Sequence, residues 1–526
     1  MKNIIKQIIF IVTISFFMAS CHDDLDQNPI DPDSFTEQDV FANTIEAKSA
    51  LAKLYASLAL TGQNGGDDGA ADIPDINQGF SQFTRMLFNL NELTTDHAVV
   101  GWGDPGLPDL HGQYWSAGND FTGAMYLRLA QEVSFCNAFI KNASALTDPE
   151  VQSFIAEARF LRAYAYYNLI DLYANVPLVQ EITTDLPSQS SRGELFNFVE
   201  SELLDVQNLL LESNEYGRVD KVAAWALLSR LYLNAEVWTG TERFTDCVTF
   251  SNNVMNSSYE INTTDANANG TAYDELFLAD NNTNGAEKEF IFLLSFDGVQ
   301  STTYGGTTFL VHGATGGSMD PTELGINGGW GGYRTTKALV EKFDANPGDQ
   351  RAMFYTDGQN LEIESIPPFS QGYAITKFKN IDSNGDQGND TSGEFVDTDI
   401  PLIRLAEIYL NYAEATLKGG AGGDLGIALN KINELRERAF GDTSGNISAS
   451  DLDEDFILDE RSRELYWEGQ RRTDLVRYNY FTTSDYTWPF KGNQPNGTSV
   501  SSFRNIFPIP TNTISTNPNL QQNLGY

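Results

Sequence analysis

Residues 221–238 of the chain, KVAAWALLSRLYLNAEVW, decide the fold. Their key side chains follow the spacing of a tetratricopeptide helix, with serine where that pattern has glycine: Trp225, Leu228, Ser229 and Tyr232. Such helices occur in pairs, and each pair buries its apolar face only by stacking on a neighbour. The stretch therefore predicts a framework of stacked helix pairs.

The same spacing occurs elsewhere along the chain. It places Phe160, Ala163 and Tyr167 within residues 154–172, and Leu405, Ile408 and Tyr412 within residues 402–417. Residues 154–172 also repeat apolar side chains with the 3.6-residue period of a helix face. We therefore predict a mostly α-helical protein whose framework covers about residues 35–260 and 398–480.

The middle of the chain, about residues 262–397, has a different composition. It is rich in asparagine, glycine and threonine, and Phe290–Leu294 reads as a strand between turn signals. Large aromatic residues such as Phe309 make this insertion too apolar for disorder. Long loops of this kind are usually functional, so we predict a loop-rich, partly β ligand-binding region. Residues 481–526 are predicted to be irregular, without a stable helix after about residue 503.

The N-terminus has the layout of a secretory signal. Lys2 and Lys6 precede a short apolar run, Ile8–Met18, which is well below the ~20 residues needed to cross a bilayer. Cys21 follows Ala19-Ser20 in the register of a bacterial lipobox. We predict a lipoprotein signal peptide at residues 1–20, lipid attachment at Cys21 and one domain over residues 21–526. The alternative is an ordinary signal peptide followed by a chance cysteine.

The net charge of −39 disfavours several classes of partner. So acidic a surface repels nucleic acid phosphates, and it disfavours sulfated and polyuronate ligands. The four histidines lack metal-ligand spacing, so no metal site is predicted from them. Cys136 and Cys247 belong to no CxxC motif, and they either form a disulfide or remain two buried thiols.

Several stretches resemble the SusD/RagB family. They are AEARFLRAY at residues 156–164 with LYANVPL at 172–178, PLIRLAEIYLNYAEA at 401–415, DERSRELYWEGQRRTDL at 459–475, and FPIP at 507–510 with NPNLQQNLGY at 517–526. Together with the lipoprotein start, the resemblance spans nearly the whole chain. It implies a SusD-like α/α superhelix of tetratricopeptide-like helix pairs, with a loop-rich ligand-binding region packed on them.

The resemblance also implies a function. It is that of a non-enzymatic lipoprotein on the surface of the outer membrane, which captures oligosaccharides and delivers them to a SusC-like TonB-dependent transporter. Asp23 and Asp24, just after Cys21, resemble the export signal of surface lipoproteins. The charged helix expected at residues 459–474 is interpreted as a structural ion-pair network, with Asp459 and Arg463 as one pair, and not as a catalytic site.

Neutral sugars are bound by flat aromatic side chains together with a few polar groups that fix orientation. Glycine-rich loops hold such rings away from the protein body, which favours Trp330 in GGWGGY and then Trp102 in GWGDP. The other candidates are Tyr304, Tyr333, Trp115, Asp96, His97 and Asp104. For each loop tryptophan the alternative is an anchor that points inward, whereas helical spacing predicts that Trp225, Trp238 and Trp467 are core.

The segment Asp382–Asp390 begins like a calcium-binding loop, with oxygen-bearing side chains at positions 1, 3 and 5. Gln387 stands where such loops have glycine, and Gly393 stands where they have glutamate. We therefore predict a solvated turn and no cofactor, with calcium as the alternative.

Other functions remain open at the level of sequence. A glycoside hydrolase would need two carboxylates facing each other across a cleft, and no motif indicates such a pair. A tetratricopeptide scaffold would bind a protein on its concave face and have no affinity for sugar. Among glycans, the acidic chain favours a neutral one, with a laminarin-type β-glucan as one candidate.

Overall fold

The computed structural model describes residues 37–66, 71–74 and 76–526. The helices of this part are α1 (Glu37–Val40), α2 (Thr44–Ala59), α3 (Phe83–Asn91), α4 (Leu107–His111), α5 (Asp120–Ala143), α6 (Pro149–Tyr173), α7 (Arg192–Val206), α8 (Lys221–Leu233), α9 (Ala235–Thr239), α10 (Phe244–Met255), α11 (Gly306–Ala314), α12 (Lys337–Asp344), α13 (Leu405–Leu417), α14 (Leu425–Phe440), α15 (Glu454–Leu465), α16 (Arg471–Arg477) and α17 (Thr511–Thr516). None of these helices is long and apolar enough to cross a bilayer.

Short strands form three two-stranded antiparallel sheets in the described residues. They pair β1 (Val99–Val100) with β3 (Tyr333–Arg334), β2 (Phe290–Leu294) with β6 (Ile400–Arg404), and β4 (Phe354–Tyr355) with β5 (Ala374–Ile375). Single-turn 3₁₀ helices lie at Gln78–Phe80, Asp274–Phe277, Ala286–Glu289, Pro321–Leu324, Thr443–Gly445, Lys491–Asn493 and Ser502–Asn505. The predicted strand at Phe290–Leu294 and the predicted class, mostly α with a partly β insertion, are confirmed.

The stretch at residues 221–238 forms two helices, α8 and α9, instead of the single helix expected. Asp220 caps α8 by accepting a hydrogen bond from the amide of Ala223, and the helix ends at Leu233. Asn234 then turns the chain, and its side chain accepts a hydrogen bond from Arg477 at 2.9 Å. The apolar faces of α8, α10, α7 and α13 pack together, as the tetratricopeptide pattern predicts.

The structure corrects three further boundaries. Residues 402–404 belong to β6 and not to a helix, because the extended chain lets Arg404 reach a buried carboxylate cluster. Phe309 lies buried in α11 and not in a loop. The C-terminal segment contains α17, which was not predicted because residues 503–526 are rich in proline.

The charged stretch at residues 459–474 is not one helix, since the chain breaks between α15 and α16. Trp467 and Gly469 both have positive φ there. The Glu92 carboxylate stabilises this turn by accepting hydrogen bonds from the amides of Gly469 and Gln470, at 2.8 and 3.0 Å. Trp467 is buried against Phe88, with ring centroids 4.9 Å apart, so its predicted place in the core is confirmed.

The predicted structural ion-pair network is confirmed, with different partners. Asp459 pairs with Lys342, and Arg463 pairs with Glu460. Glu464 lies at the centre, and its fully buried carboxylate is bound by three arginines from separate segments: Arg351, Arg404 and Arg438. These guanidinium groups hold the pKa of Glu464 well below its usual range, against the cost of burial.

The remaining core predictions are also settled by the structure. Cys136 and Cys247 are buried free thiols, so the disulfide alternative is wrong. Trp238 is buried in the core. Trp225 is half-buried at the edge of the core, where its indole N–H donates to Gln207.

We expect Glu464→Gln to lower the free energy of unfolding by about 3–5 kcal/mol, because it removes the buried carboxylate that three buried arginines share. Urea denaturation followed by circular dichroism measures this. The matched control is Glu454→Gln, which removes the exposed pair with Lys418 and should cost less than ~1 kcal/mol. Equal losses in the two variants would contradict the central role of Glu464.

Candidate functional site

Three predicted aromatic residues, Trp102, Trp330 and Tyr304, meet at one surface, where the loop after β1 lies against the insertion. The ring centroids of Trp102 and Trp330 are 6.3 Å apart, and those of Trp330 and Tyr304 are 6.1 Å apart. Each of these side chains is half-buried, so it packs on the core and still offers part of its ring to solvent. The structure thus brings together residues that lie far apart in sequence.

Phe395 extends this row beyond Tyr304, with ring centroids 5.3 Å apart. We call Trp102, Trp330, Tyr304 and Phe395 the aromatic arc. Successive rings are tilted by 45°, 59° and 42°, so their faces do not form one flat strip. Phe395 was missed by the sequence analysis, and its only signal was its place at the end of a glycine- and asparagine-rich stretch.

The loop that carries Trp330 is held by main-chain hydrogen bonds to the end of α11. The amide of Trp330 donates to the carbonyl of His312 at 2.8 Å, and the amide of Gly332 donates to that of Gly313 at 3.0 Å. The Trp102 indole N–H donates to the carbonyl of Trp330 at 3.1 Å. These bonds fix the relative position of the two tryptophan rings.

Glycine is required at three points of this loop, since a Cβ atom on Gly329 would lie 2.1 Å from the main-chain oxygen of Thr315 and Gly331 has a φ of +59°. The third point is Gly332. A Cβ atom on Gly332 would lie 2.2 Å from Cε2 of Trp102, so any larger residue would displace the ring. At Gly328 a Cβ atom would meet nothing within 4 Å. The glycines of GGWGGY therefore differ in purpose, and Gly332 is the one that makes room for Trp102.

Polar groups flank the aromatic arc. The Tyr304 hydroxyl donates a hydrogen bond to the half-buried carboxylate of Glu394. Asp104 is also half-buried, two residues after Trp102. Both carboxylates are acceptors for sugar hydroxyls, and both repel an anionic ligand.

The structure places two predicted polar candidates in the interior, which corrects their assignment. Asp96 is fully buried and accepts two hydrogen bonds from Arg471, each of 2.8 Å, which keep the pKa of Asp96 well below its usual range. His97 is buried between Glu92 and Ser462, with 2.7 Å contacts to both. Neither side chain is offered to a ligand.

Two predicted aromatic candidates are interior as well. Trp115 is buried, and its indole N–H donates to the hydroxyl of Tyr526 at 2.7 Å. Tyr333 is buried with its hydroxyl on Asn89 at 2.7 Å, and its ring supports Trp102 edge to face at 5.0 Å. Tyr333 therefore acts beneath the aromatic arc and not within its surface.

The Asp382–Asp390 segment forms a turn that satisfies its own carboxylate. Asp382 accepts hydrogen bonds from the amides of Asn384 and Asp386, both at 2.8 Å. The described residues hold no cluster of three or more His, Cys, Asp or Glu side chains suited to a metal ion. These bonds fit the predicted solvated turn.

A different segment, Asp265–Glu275, matches the calcium-loop pattern D-x-N-x-N-G more closely, and the sequence analysis overlooked it. Asp265 accepts hydrogen bonds from the amides of Asn269 and Gly270 at 3.0 and 2.9 Å. The buried Asp274 carboxylate faces this loop, and its Oδ1 atom has no hydrogen-bond donor among the described residues. Burial raises the pKa of the adjacent Glu275 to about 7.

Comparison with known proteins agrees with this architecture. Residues 367–526 match the family described as "SusD family", and residues 35–233 match "Starch-binding associating with outer membrane". The chain is 35% identical to "Starch-binding protein SusD" of Bacteroides thetaiotaomicron, over 98% of this chain and 97% of that relative. The chain belongs to the SusD family.

More distant SusD-family proteins match along nearly their whole length. "SusD-like protein P25" of Formosa agariphila is 23% identical over 98% of this chain and 97% of the relative. A SusD superfamily protein of Bacteroides vulgatus has the same fold, with a TM-score of 0.70 at 18% identity over 92% of this chain and 99% of its own. "Surface glycan-binding protein A" of Bacteroides fluxus has a TM-score of 0.69 at 21% identity, over 92% of this chain and all of its own.

The SusD-family assignment confirms the fold expected from the four resembling stretches. Membership of the SusD family, a family of binding proteins, confirms the prediction that the chain is not an enzyme.

The absence of a cofactor stays a prediction with calcium as its alternative, and the unpartnered Asp274 Oδ1 atom makes the 265–275 loop a better candidate for calcium than the 382–390 turn. We expect calcium to raise the thermal unfolding midpoint relative to EGTA, because it binds only the folded loop. Asp274→Asn should abolish that rise, whereas Asp382→Asn should leave it unchanged. An identical midpoint in calcium and EGTA for the unaltered protein would contradict the prediction.

Proposed function

We propose that this protein binds a neutral, starch-type glucan on the aromatic arc and delivers it to a SusC-like TonB-dependent transporter. The observation that carries the proposal is the meeting of Trp102, Trp330 and Tyr304 at one partly exposed surface. Trp102 precedes Tyr304 and Trp330 by more than two hundred residues in the chain, and packing of the core alone does not require the three rings to share a solvent-facing surface.

The arrangement suits the chemistry of a sugar chain. Pyranose rings present C–H groups on their faces, which pack on aromatic rings, and hydroxyls at their edges, which bond to polar groups. The aromatic arc supplies the first kind of contact, and Glu394 and Asp104 flank it with acceptors for the second. Rings already packed on the core lose little side-chain freedom when a sugar covers them.

One observation favours an α-glucan of the starch type over the laminarin-type β-glucan considered from the sequence. The relative that is 35% identical along nearly its whole length is named a starch-binding protein. The tilts of 45°, 59° and 42° between successive rings suit a curved glucan chain better than a flat, ribbon-like polysaccharide.

The electrostatics favour a neutral ligand. The chain carries a net charge of −39, and the carboxylates of Glu394 and Asp104 lie beside the arc. In the described residues, no arginine or lysine lies over the ring face of Trp102 or Trp330. A uronate or sulfated sugar would therefore be repelled by these carboxylates and would meet no cation on either tryptophan ring.

The place of action is proposed from the start of the chain and from the family. Cys21 lies outside the described residues, and its lipidation rests on the lipobox register together with the acidic Asp23 and Asp24. The match to a family described as associating with the outer membrane supports that location. Exposure on the cell surface and delivery to the transporter rest on the SusD-family assignment.

The tetratricopeptide scaffold is the competing function. In that case the partner would lie on the helical framework, and the arc would not contribute to binding. The two functions differ in one measurable respect, which is affinity for a polysaccharide and its dependence on Trp102 and Trp330.

We expect the protein, truncated after Cys21, to be retarded in native gels that contain amylopectin, and less or not at all in gels that contain laminarin. Trp330→Ala and Trp102→Ala should each weaken binding by about thirtyfold or more, as loss of a central aromatic contact does. The matched control is Trp225→Ala, which removes a half-buried tryptophan at the edge of the helical framework and should not change retardation.

Circular dichroism separates a lost contact from a lost fold, and we expect Trp330→Ala to keep the spectrum and the melting transition of the parent. An unfolded variant would mean that Trp330 is a core anchor. Retardation that persists in both arc variants, or that no glucan produces, would instead support the scaffold function.

Cys21→Ser in the full-length chain should move the protein from the membrane fraction to the soluble fraction, because the acylated residue is lost. In intact cells the unaltered protein should be degraded by added proteinase K, as a surface lipoprotein is. Protection of the unaltered protein from the protease would contradict surface exposure, and membrane retention of the variant would contradict lipidation at Cys21.

A further inference from the structure

His312 lies directly beneath Trp330, in the last turn of α11. Its imidazole stacks on the indole of Trp330, with ring centroids 4.9 Å apart and planes 21° apart. Its Nδ1 atom is 2.6 Å from the carbonyl oxygen of Gly328, and its own carbonyl accepts the hydrogen bond from the Trp330 amide. His312 therefore contacts the indole ring of Trp330, the carbonyl of Gly328 at the start of its loop, and the main-chain amide of Trp330 itself.

The hydrogen bond to Gly328 determines which nitrogen of the neutral His312 ring carries the proton. A carbonyl oxygen only accepts hydrogen bonds, so Nδ1 must be the protonated nitrogen of His312. Its Nε2 atom is then a bare acceptor, and no hydrogen-bond donor reaches this buried atom among the described residues. A second proton would therefore add one charge to a ring that lies against Trp330.

The surroundings of His312 oppose that second proton at neutral pH. Burial lowers the pKa of His312, although the main-chain carbonyls of Gly328 and Glu394 and the Glu394 carboxylate favour the charged form. Glu394 is the charged group that faces the ring, and Tyr333 at the neighbouring Gly313 stays neutral because burial raises its pKa. The ring is thus neutral at pH 7 and gains its proton on the acidic side of its ordinary pKa.

We propose that His312 is a positioning residue for Trp330 and that a second proton on its ring weakens glycan binding at the aromatic arc. An imidazolium below the indole is attracted by the negative electrostatic potential on the face of that ring, which is a cation–π contact. The sugar C–H groups on the opposite face carry a partial positive charge and then meet a less negative ring. Because binding and protonation oppose each other, glycan must also lower the pKa of His312.

The inference rests on the proposed function, and the test separates the two. Amylopectin gels run at pH 7.5 and at a pH below the pKa of His312, which the NMR titration described below measures, should show about threefold weaker binding at the lower pH, the scale of one cation–ring contact. His312→Phe keeps the stacked ring without the hydrogen bond, and His312→Asn keeps a donor for Gly328 without the ring. Both variants should bind more weakly than the parent at pH 7.5. Both should also bind equally well at the two pH values, so that the difference between them, the pH step, is lost.

His111→Asn is the matched control, since it removes another buried histidine that lies outside the arc. It should keep the pH step of the parent. A step that persists in both His312 variants overturns the inference, and so does a step that His111→Asn removes. Failure of the unaltered protein to bind amylopectin at either pH would instead overturn the proposed function.

If a substitution at His312 prevents folding, the inference can be tested on the unaltered protein. The chain has only four histidines, so the imidazole resonances of His312 can be followed by NMR in histidine-labelled protein. Its pKa should fall when maltoheptaose is added to saturation. An unchanged pKa in the saturated protein would overturn the inference.

Discussion

The buried carboxylate of Glu464 is the point on which the rest of the structure depends. It binds Arg351 from the insertion, Arg404 from the end of β6, and Arg438 from α14. A buried charge of this kind is tolerated only when all its partners are present, so the three segments must assemble together. The loop-rich insertion, which lacks large sheets of its own, is thereby joined to the helical framework and held in one position.

The helical framework could be predicted because its signals are local. The tetratricopeptide spacing around Trp225 and the apolar period of residues 154–172 depend only on neighbouring residues and the geometry of a helix. The break between α15 and α16 could not be predicted, because it depends on the carboxylate of Glu92, which is 377 residues away from Gly469 in sequence. The charged stretch around it reads as a continuous helix when that distant partner is unknown.

In the candidate site, too, local signals could be predicted from the sequence and contacts between distant residues could not. Trp102 and Trp330 could be chosen because glycine-rich loops with tryptophan are unusual, and the structure brings both rings together with Tyr304. Asp96 and His97 were chosen because polar side chains are ordinarily exposed, yet Asp96 is neutralised by Arg471, 375 residues further along the chain. Pairing of this kind is invisible in a single sequence, as is the contribution of Phe395.

The way in which the rings of the aromatic arc support one another has a thermodynamic consequence. Trp102 packs edge to face against Tyr333, Trp330 stacks on His312, and Tyr304 donates a hydrogen bond to Glu394. The arrangement of the rings therefore exists before any ligand binds. Association then requires little ordering of side chains, and its entropy penalty falls mainly on the ligand. Helical segments of a long polymer are already curved in solution, so they would lose less conformational freedom on binding than short flexible oligomers. Affinity per sugar should therefore rise with chain length until the aromatic arc is covered.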